Sequence, residues 1–410
     1  MKLKKGVRAL SLLLVMALLG GMFIPAVSAE DSLNLIERKI LIEDNYIPIE
    51  TALEHATLYM WEYTSQNMDE NAWNGASIDK EPIQIYDTNG KLLFYLFSVE
   101  INTKTVGSII TPASKVLGFP VQSIGEPYTY DIENSLNNLN EILSIEYKDF
   151  KLIFSELVCY DYPKLGILVK LLNTETKLEK TLIFDAFEMS NKTIDIKDNS
   201  WSYYQQISND QLIKNIECWN LNSKNLEESS SYLKNSGILS YNEAIAGSKA
   251  IGESDYISSF PTVSQGNSEW CMIATAWLIT KHYYYSTTRS QTDIANHMNV
   301  YTNTGPTWTN YLSYYTDSYS DGGLGKTDSE YHNYFYQQLE YDNIKTEIKA
   351  NRPISVGASG HERACIGYWQ YTNGNKLYKF SDPDPQKTTY WEAADSEGFI
   401  MNYNDFTLVK

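Results

Sequence analysis

The hydrophobic pattern changes its period along the chain. After residue 45, apolar side chains recur at helical intervals (Ile49, Ala52, Leu53, Ala56 and Met60), which predicts an amphipathic helix. Two β-rich runs follow, Pro82-Ile-Gln-Ile-Tyr86 and residues 91–101, separated by Asp87-Thr-Asn89-Gly90. An Asn-Gly pair between such runs predicts a hairpin, because both residues tolerate the left-handed turn that matches the twist of paired strands. Further strands are expected over residues 106–112, 151–158, 166–172 and 180–184. Packing a helix on an antiparallel sheet buries these faces economically, so the region to residue 205 reads as α+β and β-rich.

Between residues 208 and 256 the composition turns polar. It includes Glu227-Glu228-Ser229-Ser230-Ser231 and, at 244–253, small residues around Lys249. Such a stretch reads as an exposed, cleavable connector and places a boundary there. The pattern then becomes helical again from Cys271 through Ile279. Residues 344–352 read as another helix, Pro353 breaks it, and strands follow on both sides of Gly360, with a further strand over 377–381. The expected organisation is a leader at 1–29, an acidic α+β region at 30–205, a polar connector at 206–255 and a second α+β domain at 256–410.

The leader is read from Lys2, Lys4, Lys5 and Arg8, the apolar run 9–19 and the small-residue end Val27-Ser28-Ala29, which together describe a secretory signal peptide. No later run approaches the ~20 apolar residues of a membrane helix, so a secreted protein without a membrane anchor is expected. At 410 residues the chain can build two or three cores. Its net charge of −18 argues against nucleic acid or anionic membrane as a partner. Residues 256–410 carry 11 Lys/Arg and 16 Asp/Glu, and the leader carries four basic residues, so residues 30–255 hold a net −17. That acidity reads as a solvated surface. The 32 tyrosines read as polar-aromatic surface, with a sugar- or peptide-binding face as the alternative.

Four cysteines stand at 159, 218, 271 and 365. An even count allows a Cys159–Cys218 bridge, but so few cysteines are no disulfide framework. Cys271 follows the turn-forming stretch Ser264-Gln265-Gly266-Asn267-Ser268-Glu269-Trp270 and opens a helical run. A helix start favours a thiolate, since free backbone N–H groups and the positive end of the dipole face it. Gln265, six residues upstream, can fold back and offer its side-chain N–H to a developing oxyanion.

A cysteine nucleophile needs a base, and histidine is the usual one. His55 lies in the first predicted helix and reads as a surface residue. His282 is on the helix of Cys271 but about 16 Å further along its axis at 1.5 Å per residue, too far to touch the sulfur. His297 and His332 fall on other stretches read as short helices. His361 opens a strand beside Gly360, a position suited to a site. A hairpin partner over 377–381 would return its end beside that histidine, so Asp382 is chosen to orient the imidazole. Asp384 is the alternative, and both aspartates are also ordinary initiators of proline turns.

Gln265 before a Trp270-Cys271 pair, a Gly360-His361 strand opening followed by Gly367-Tyr368, and Asp382-Pro383 resemble the papain-like cysteine peptidases, in particular the bacterial C39-like group. The resemblance covers about residues 256–410. The papain-type Cys-Gly-Ser-Cys-Trp box is absent, and Glu362 and Arg363 stand where relatives usually have apolar residues. The resemblance implies a papain-like α+β domain, a helix subdomain followed by an antiparallel sheet. It also implies a Cys271, His361 and Asp382 triad with Gln265 at the oxyanion, acting on a protein or peptide substrate. The helix, hairpin, strand and Pro120-Val121 order resembles the pro-domains of some secreted bacterial thiol peptidases. That implies a zymogen whose own pro-region serves as an intramolecular inhibitor or chaperone.

The same triad chemistry also serves transglutaminase-like and peptidoglycan-cleaving enzymes, and a non-enzymatic surface module would tie Cys271 to Cys365. There is no Cys-x-x-Cys, no His-Glu-x-x-His and no phosphate-binding glycine loop. Asp317, Asp321 and Asp328 with Gly322, Gly323 and Gly325 lack the ordered alternation of a calcium loop. No cofactor and no metal is expected.

Overall fold

Strand-forming runs on both sides of the polar connector join one sheet. A computed structural model describes residues 33–65, 73–127, 132–162, 164–186, 191–192, 202–235, 251–266, 269–302, 304–327, 329–333, 341–358, 361–371, 374, 376–383, 388–393 and 403–409. The expected leader, residues 236–250 of the expected connector, and Asp384 lie outside them.

The first helix, α1 (Leu35–Asp44), is opened by Asn34, whose side chain accepts from the backbone N–H groups of Ile36 and Glu37 at 3.0 and 3.1 Å. Residues 41–410 form one compact unit. In chain order it holds α2 (Ile49–Ser65), β1 (Ser77–Ile78), β2 (Ile83–Asp87), β3 (Leu92–Ile101), β4 (Lys104–Pro112) and β5 (Ser123–Gly125). Then come α3 (Ile132–Glu146), β6 (Phe150–Asp161), β7 (Lys164–Asn173), β8 (Glu179–Asp185), β9 (Asn191–Lys192), α4 (Tyr203–Gln206) and α5 (Asn209–Asn235). The C-terminal half begins with β10 (Ile251–Tyr256), α6 (Cys271–Tyr283), α7 (Gln291–His297), α8 (Trp308–Thr316), β11 (Ser329–Asn333) and α9 (Tyr341–Lys349). It ends with β12 (Ile354–Ala358), β13 (His361–Tyr371), β14 (Lys376–Asp382), β15 (Thr388–Ala393) and β16 (Tyr403–Val409).

The sheet has the order β11-β16-β12-β13-β14-β15-β5-β4-β3-β2-β6-β7-β8-β9, with β1 on β3 and β10 on β13. The pairings among the described residues are antiparallel except β2 with β6. The Asn-Gly hairpin forms as its sequence requires: Ile83 faces Leu96, and Gly90 closes the turn at φ +81 with its N–H on Asp87 O at 2.8 Å. The two halves meet where β5 pairs with β15, Ile124 opposite Trp391 and Gly125 opposite Tyr390. Glycine is required at 125, because a Cβ there would lie 2.6 Å from the Tyr390 Cα.

Two large cores follow. One is the C-terminal half's own, where Ile273, Ala276 and Ile279 of α6 meet Tyr311, Ile354 and Phe380. The other is shared: Ala56, Tyr59 and Tyr63 of α2 and Phe97 of β3 pack with Trp369, Tyr371 and Trp391 of β13 and β15. Each large side chain so buried contributes roughly 1.5–3 kcal/mol, a sizeable share of a net stability of about 5–15 kcal/mol.

Several expectations are corrected. Residues 209–235, read as polar connector, form a 27-residue helix, in whose first turns Asp210, Lys214, Glu217 and Lys224 are exposed while Leu212 and Trp219 are buried. His55 is therefore no surface residue: it is 1% exposed, its ring 4.8 Å from that of Trp219. His332 lies in a strand, β11, opposite Phe406, and not in a helix. Residues 251–253, the end of the stretch read as cleavable, are part of β10 and pair with β13. The four cysteines are free thiols, so neither Cys159–Cys218 nor Cys271–Cys365 is bridged. Among the described residues, no helix is long and apolar enough to cross a membrane.

Candidate active site

Cys271 is the first residue of α6, as the change from turn to helical pattern predicts, with Trp270 in the capping position and no side chain closing that end. One turn on, Thr275 lies on the same face of the helix, and its hydroxyl donates to the carbonyl of Glu362 at 3.0 Å. That bond fixes the start of α6 over the start of β13, where His361 is the first residue.

β13 pairs with β14 in antiparallel register, Ala364 opposite Ser381, which carries the end of β14 back to the histidine. Asp382 stands there. Its Oδ1 is 2.7 Å from His361 Nε2, and the two side chains are 3% and 0% exposed. The Nδ1 of His361 makes no hydrogen bond among the described residues, while the Cys271 sulfur is near enough to influence the ring. The hairpin thus brings His361 and Asp382 together, and the Thr275 bond sets the helix start that carries Cys271 over the same strand end. Asp384 lies outside the described residues.

The electrostatics of this pair are opposed and the outcome is clear. Burial pushes the His361 pKa down, but the Asp382 charge and hydrogen bond, with the Cys271 sulfur, more than offset it and raise the value to about 10. Burial works against the Asp382 carboxylate as well. The His361 charge and hydrogen bond, Arg363 and the Tyr390 hydroxyl nevertheless hold its pKa below the ordinary carboxylate value. The imidazolium–carboxylate form is the one this site stabilises.

Gln265 sits in a loop held from two sides. Its backbone N–H donates to Pro383 O at 2.9 Å, directly after Asp382. The side chain of Gln291, at the start of α7, accepts from Gly266 N–H and donates to Ser264 O, both at 2.7 Å. The loop between Gln265 and Cys271 is thereby tied to the strand end that carries the aspartate. Gln291 was not singled out from the sequence; its only signal is a polar side chain at a helix start, which is common.

Glu362 and Arg363 do not disturb the strand: Gly357 faces Glu362 and Val356 faces Arg363 in the β12–β13 register. Both charges are buried and both are paired. Glu362 accepts from Ser355, whose hydroxyl meets that of Tyr311 at 2.7 Å. Arg363 is two residues from His361 and so shares its face of the strand. Its Nη1 donates to Glu392 Oε2 at 2.5 Å and to the Tyr390 hydroxyl at 2.7 Å, and that hydroxyl donates to Asp382 Oδ2 at 2.6 Å. Sequence reasoning noted Arg363 only as a departure from the family pattern and missed Tyr390 and Glu392. The available signal was that a charge on a strand this apolar needs a buried partner.

The other histidines are elsewhere. His282 bonds the backbone of Asn351 at 3.0 Å, and His297 bonds Asp317 at 2.9 Å. Asp317 is thus engaged by a histidine, Asp328 lies outside the described residues, and no group of His, Cys, Asp and Glu suited to a metal occurs among the described residues.

Comparison with known proteins bears on the C-terminal half. Residues 257–409 match the model of the Peptidase_C39 like family. No curated protein matches the chain. Among six matching chains of solved structures is the proform of the Amb a 11 cysteine protease, a major ragweed pollen allergen, at 12% identity and a TM-score of 0.27. That similarity covers 40% of this chain and 66% of the allergen chain, just under two thirds of its length. The family resemblance read from Gln265, Cys271, His361 and Asp382 agrees with that match, which makes residues 257–409 similar to the C39-like peptidases.

Proposed function

We propose that the C-terminal half hydrolyses peptide bonds through a Cys271, His361 and Asp382 triad. Cys271 and His361 form a thiolate–imidazolium pair, and the thiolate attacks the scissile carbonyl. The backbone N–H of Cys271 and the side-chain amide of Gln265 receive the tetrahedral oxyanion. The imidazolium gives its Nδ1 proton to the leaving amine, which departs as the C–N bond breaks and a thioester remains. Water then adds to the thioester with the imidazole taking its proton, and the acid product leaves as the thiolate returns. Asp382 holds the Nε2–H throughout and fixes the ring orientation.

The observation that carries this reading is the buried 2.7 Å bond from His361 Nε2 to Asp382, with the free Nδ1 side of the ring left to a cysteine at a helix start. The test is labelling by an epoxide-type, thiol-directed peptidase inhibitor. Cys271 is expected to react ahead of Cys218, the other part-exposed thiol, while Cys159 and Cys365 are buried and burial raises both, Cys365 to about 12. If His361→Ala protein is labelled at the wild-type rate, the reading is wrong. Casein, amine acceptors and cell walls, offered side by side, separate a peptidase from the acyl transferases and wall hydrolases that share this chemistry.

In this proposal the chain is a secreted zymogen, its leader 1–29 removed on export. The N-terminal half serves as a folding aid more than as a plug, a role supported by its pairing with β15, on the Asp382 side of the site, and by the core it shares with β13. Processing between the halves falls before β10, where Glu253 is bonded to Lys349 at 2.5 Å and to Lys345.

A further inference from the structure

Gln265 is held through its backbone on both sides, and one side chain supplies two of the three bonds. The peptide unit before it is bonded at both ends: the Ser264 carbonyl accepts from Gln291 Nε2 at 2.7 Å, and the Gln265 N–H donates to Pro383 O at 2.9 Å. The unit after it donates its Gly266 N–H to Gln291 Oε1 at 2.7 Å. Two planar units that meet at one Cα leave only φ and ψ free between them. The three bonds therefore set both angles of Gln265 and the direction in which its side chain departs. Glycine at 266 leaves room for this grip, since a Cβ there would come within 3.3 Å of the Gln291 amide oxygen.

Gln291 is itself fixed to the helix that carries Cys271. It opens α7, whose start is closed by a capping box: the Ser290 hydroxyl accepts from Asp293 N–H at 3.2 Å, and the Asp293 carboxylate accepts from Ser290 N–H at 2.8 Å. Just before this box, Arg289 O accepts from Trp277 Nε1 of α6 at 2.8 Å, and the Arg289 guanidinium donates to the carbonyls of Gly323 and Tyr319. Ile294 and Ala295 of α7 lie in the same core as Ile273 and Ala276 of α6. The backbone of Gln265 is thus referred to α6 through Gln291, and to the strand end of Asp382 through Pro383.

We infer that Gln291 is a positioning residue for the oxyanion site: its side-chain amide sets the backbone of Gln265, and with it the place where the Gln265 amide meets the charge developing on the substrate oxygen. This rests on the peptidase reading above. A carboxamide suits the task because it carries a donor and an acceptor side by side, matching the Ser264 carbonyl and the Gly266 N–H at once; a carboxylate has only acceptors and an ammonium only donors. A donor aimed at the oxyanion acts at the tetrahedral step. Loosening the Gln265 backbone should therefore slow acyl transfer and leave the nucleophilicity of Cys271 as it was.

The test compares two reactions of one thiol in the full chain, in a Cys218→Ser background with Cys271→Ser as the blank. Iodoacetamide is attacked at a saturated carbon: the C–S bond forms as iodide leaves, and no oxyanion arises. p-Nitrophenyl acetate is attacked at its carbonyl: the C–S bond forms, the carbonyl oxygen becomes an oxyanion, and its collapse to the acetyl thioester expels p-nitrophenolate. Gln291→Ala is expected to slow acylation about tenfold and to leave alkylation unchanged. Gln291→Glu, which keeps an acceptor for Gly266 N–H and lacks the donor to Ser264 O, is expected to fall between. Gln265→Ala is expected to lose about 10²-fold in acylation, and adding Gln291→Ala to it should cost nothing more, because the two act as one unit. Equal slowing of both reactions, slowing of neither, or losses that add in the double variant overturn the positioning role and leave the triad standing. Gln265→Ala protein that acylates at the wild-type rate removes Gln265, and Gln291 with it, from the oxyanion site. A wild-type Cys271 that reacts with both reagents no faster than a free thiol sinks the peptidase reading as well.

Discussion

His361 Nε2 and Asp382 Oδ1 are 2.7 Å apart with neither side chain reached by solvent, and the second carboxylate oxygen is taken by Tyr390 at 2.6 Å. Both oxygens therefore act as acceptors. An amide at this position has one acceptor and turns an NH₂ toward one of two donors. Asp382→Asn is expected to fold but to lower turnover about 10²–10⁴-fold, read on casein or as the rate of Cys271 alkylation.

The same pair sets a pH dependence of stability. The folded His361 pKa of about 10 exceeds the ordinary histidine value of roughly 6.5. A group raised in this way stabilises the fold fully below the unfolded value and loses that contribution as pH climbs through the folded one. Asp382, held low, contributes above the unfolded carboxylate value and loses its contribution as pH falls. The unfolding midpoint should decline between about pH 6.5 and 10, and that decline should flatten in Asp382→Asn. An equal slope in both proteins would exclude the pair as its source.

A second titrating pair lies on α2. Burial lowers His55 to about 4, and burial raises Glu62 to about 7. A histidine lowered on folding loses stability as pH falls from roughly 6.5 toward 4, whereas a carboxyl raised on folding loses it as pH rises from roughly 4.5 to 7. The two slopes oppose each other across the same window. Urea midpoints of His55→Leu are expected to fall with rising pH there, and those of Glu62→Gln to rise, leaving the wild type flatter than either.

Gly125 is the third target. An added Cβ would meet the Tyr390 Cα at 2.6 Å and the Thr389 carbonyl at 2.7 Å, both backbone-defined positions in a paired strand. Gly125→Ala is expected to cost about 1–3 kcal/mol, measured as a lowered calorimetric midpoint, and to lower the Cys271 alkylation rate because Tyr390 must shift with the strand.

What the sequence made legible follows from what local chemistry can encode. The helix start at Cys271, the strand opening at His361, the strand end at Asp382 and the Asn89-Gly90 hairpin each carry their signal within a few residues, and each lies where that signal placed it. The features that escaped are those decided by a distant partner. His55 is buried because Trp219 of α5 lies on it, and nothing near residue 55 records that. Nothing near Arg363 or Glu392 records their pairing, which spans 29 residues. The polarity of residues 209–224 described one face of a helix whose other face holds Leu212 and Trp219.

The β5–β15 pairing also bears on how the chain is made. Glu126 and Thr389, bonded at 3.1 Å, are 263 residues apart. During synthesis β5 emerges, finds β4 and waits with one edge open until β15 leaves the ribosome. Contacts so remote form late and slowly, and an unpaired edge held in the interim invites association with other chains. Vectorial translation turns this order to advantage, since a finished N-terminal sheet is already the template on which the last strands register.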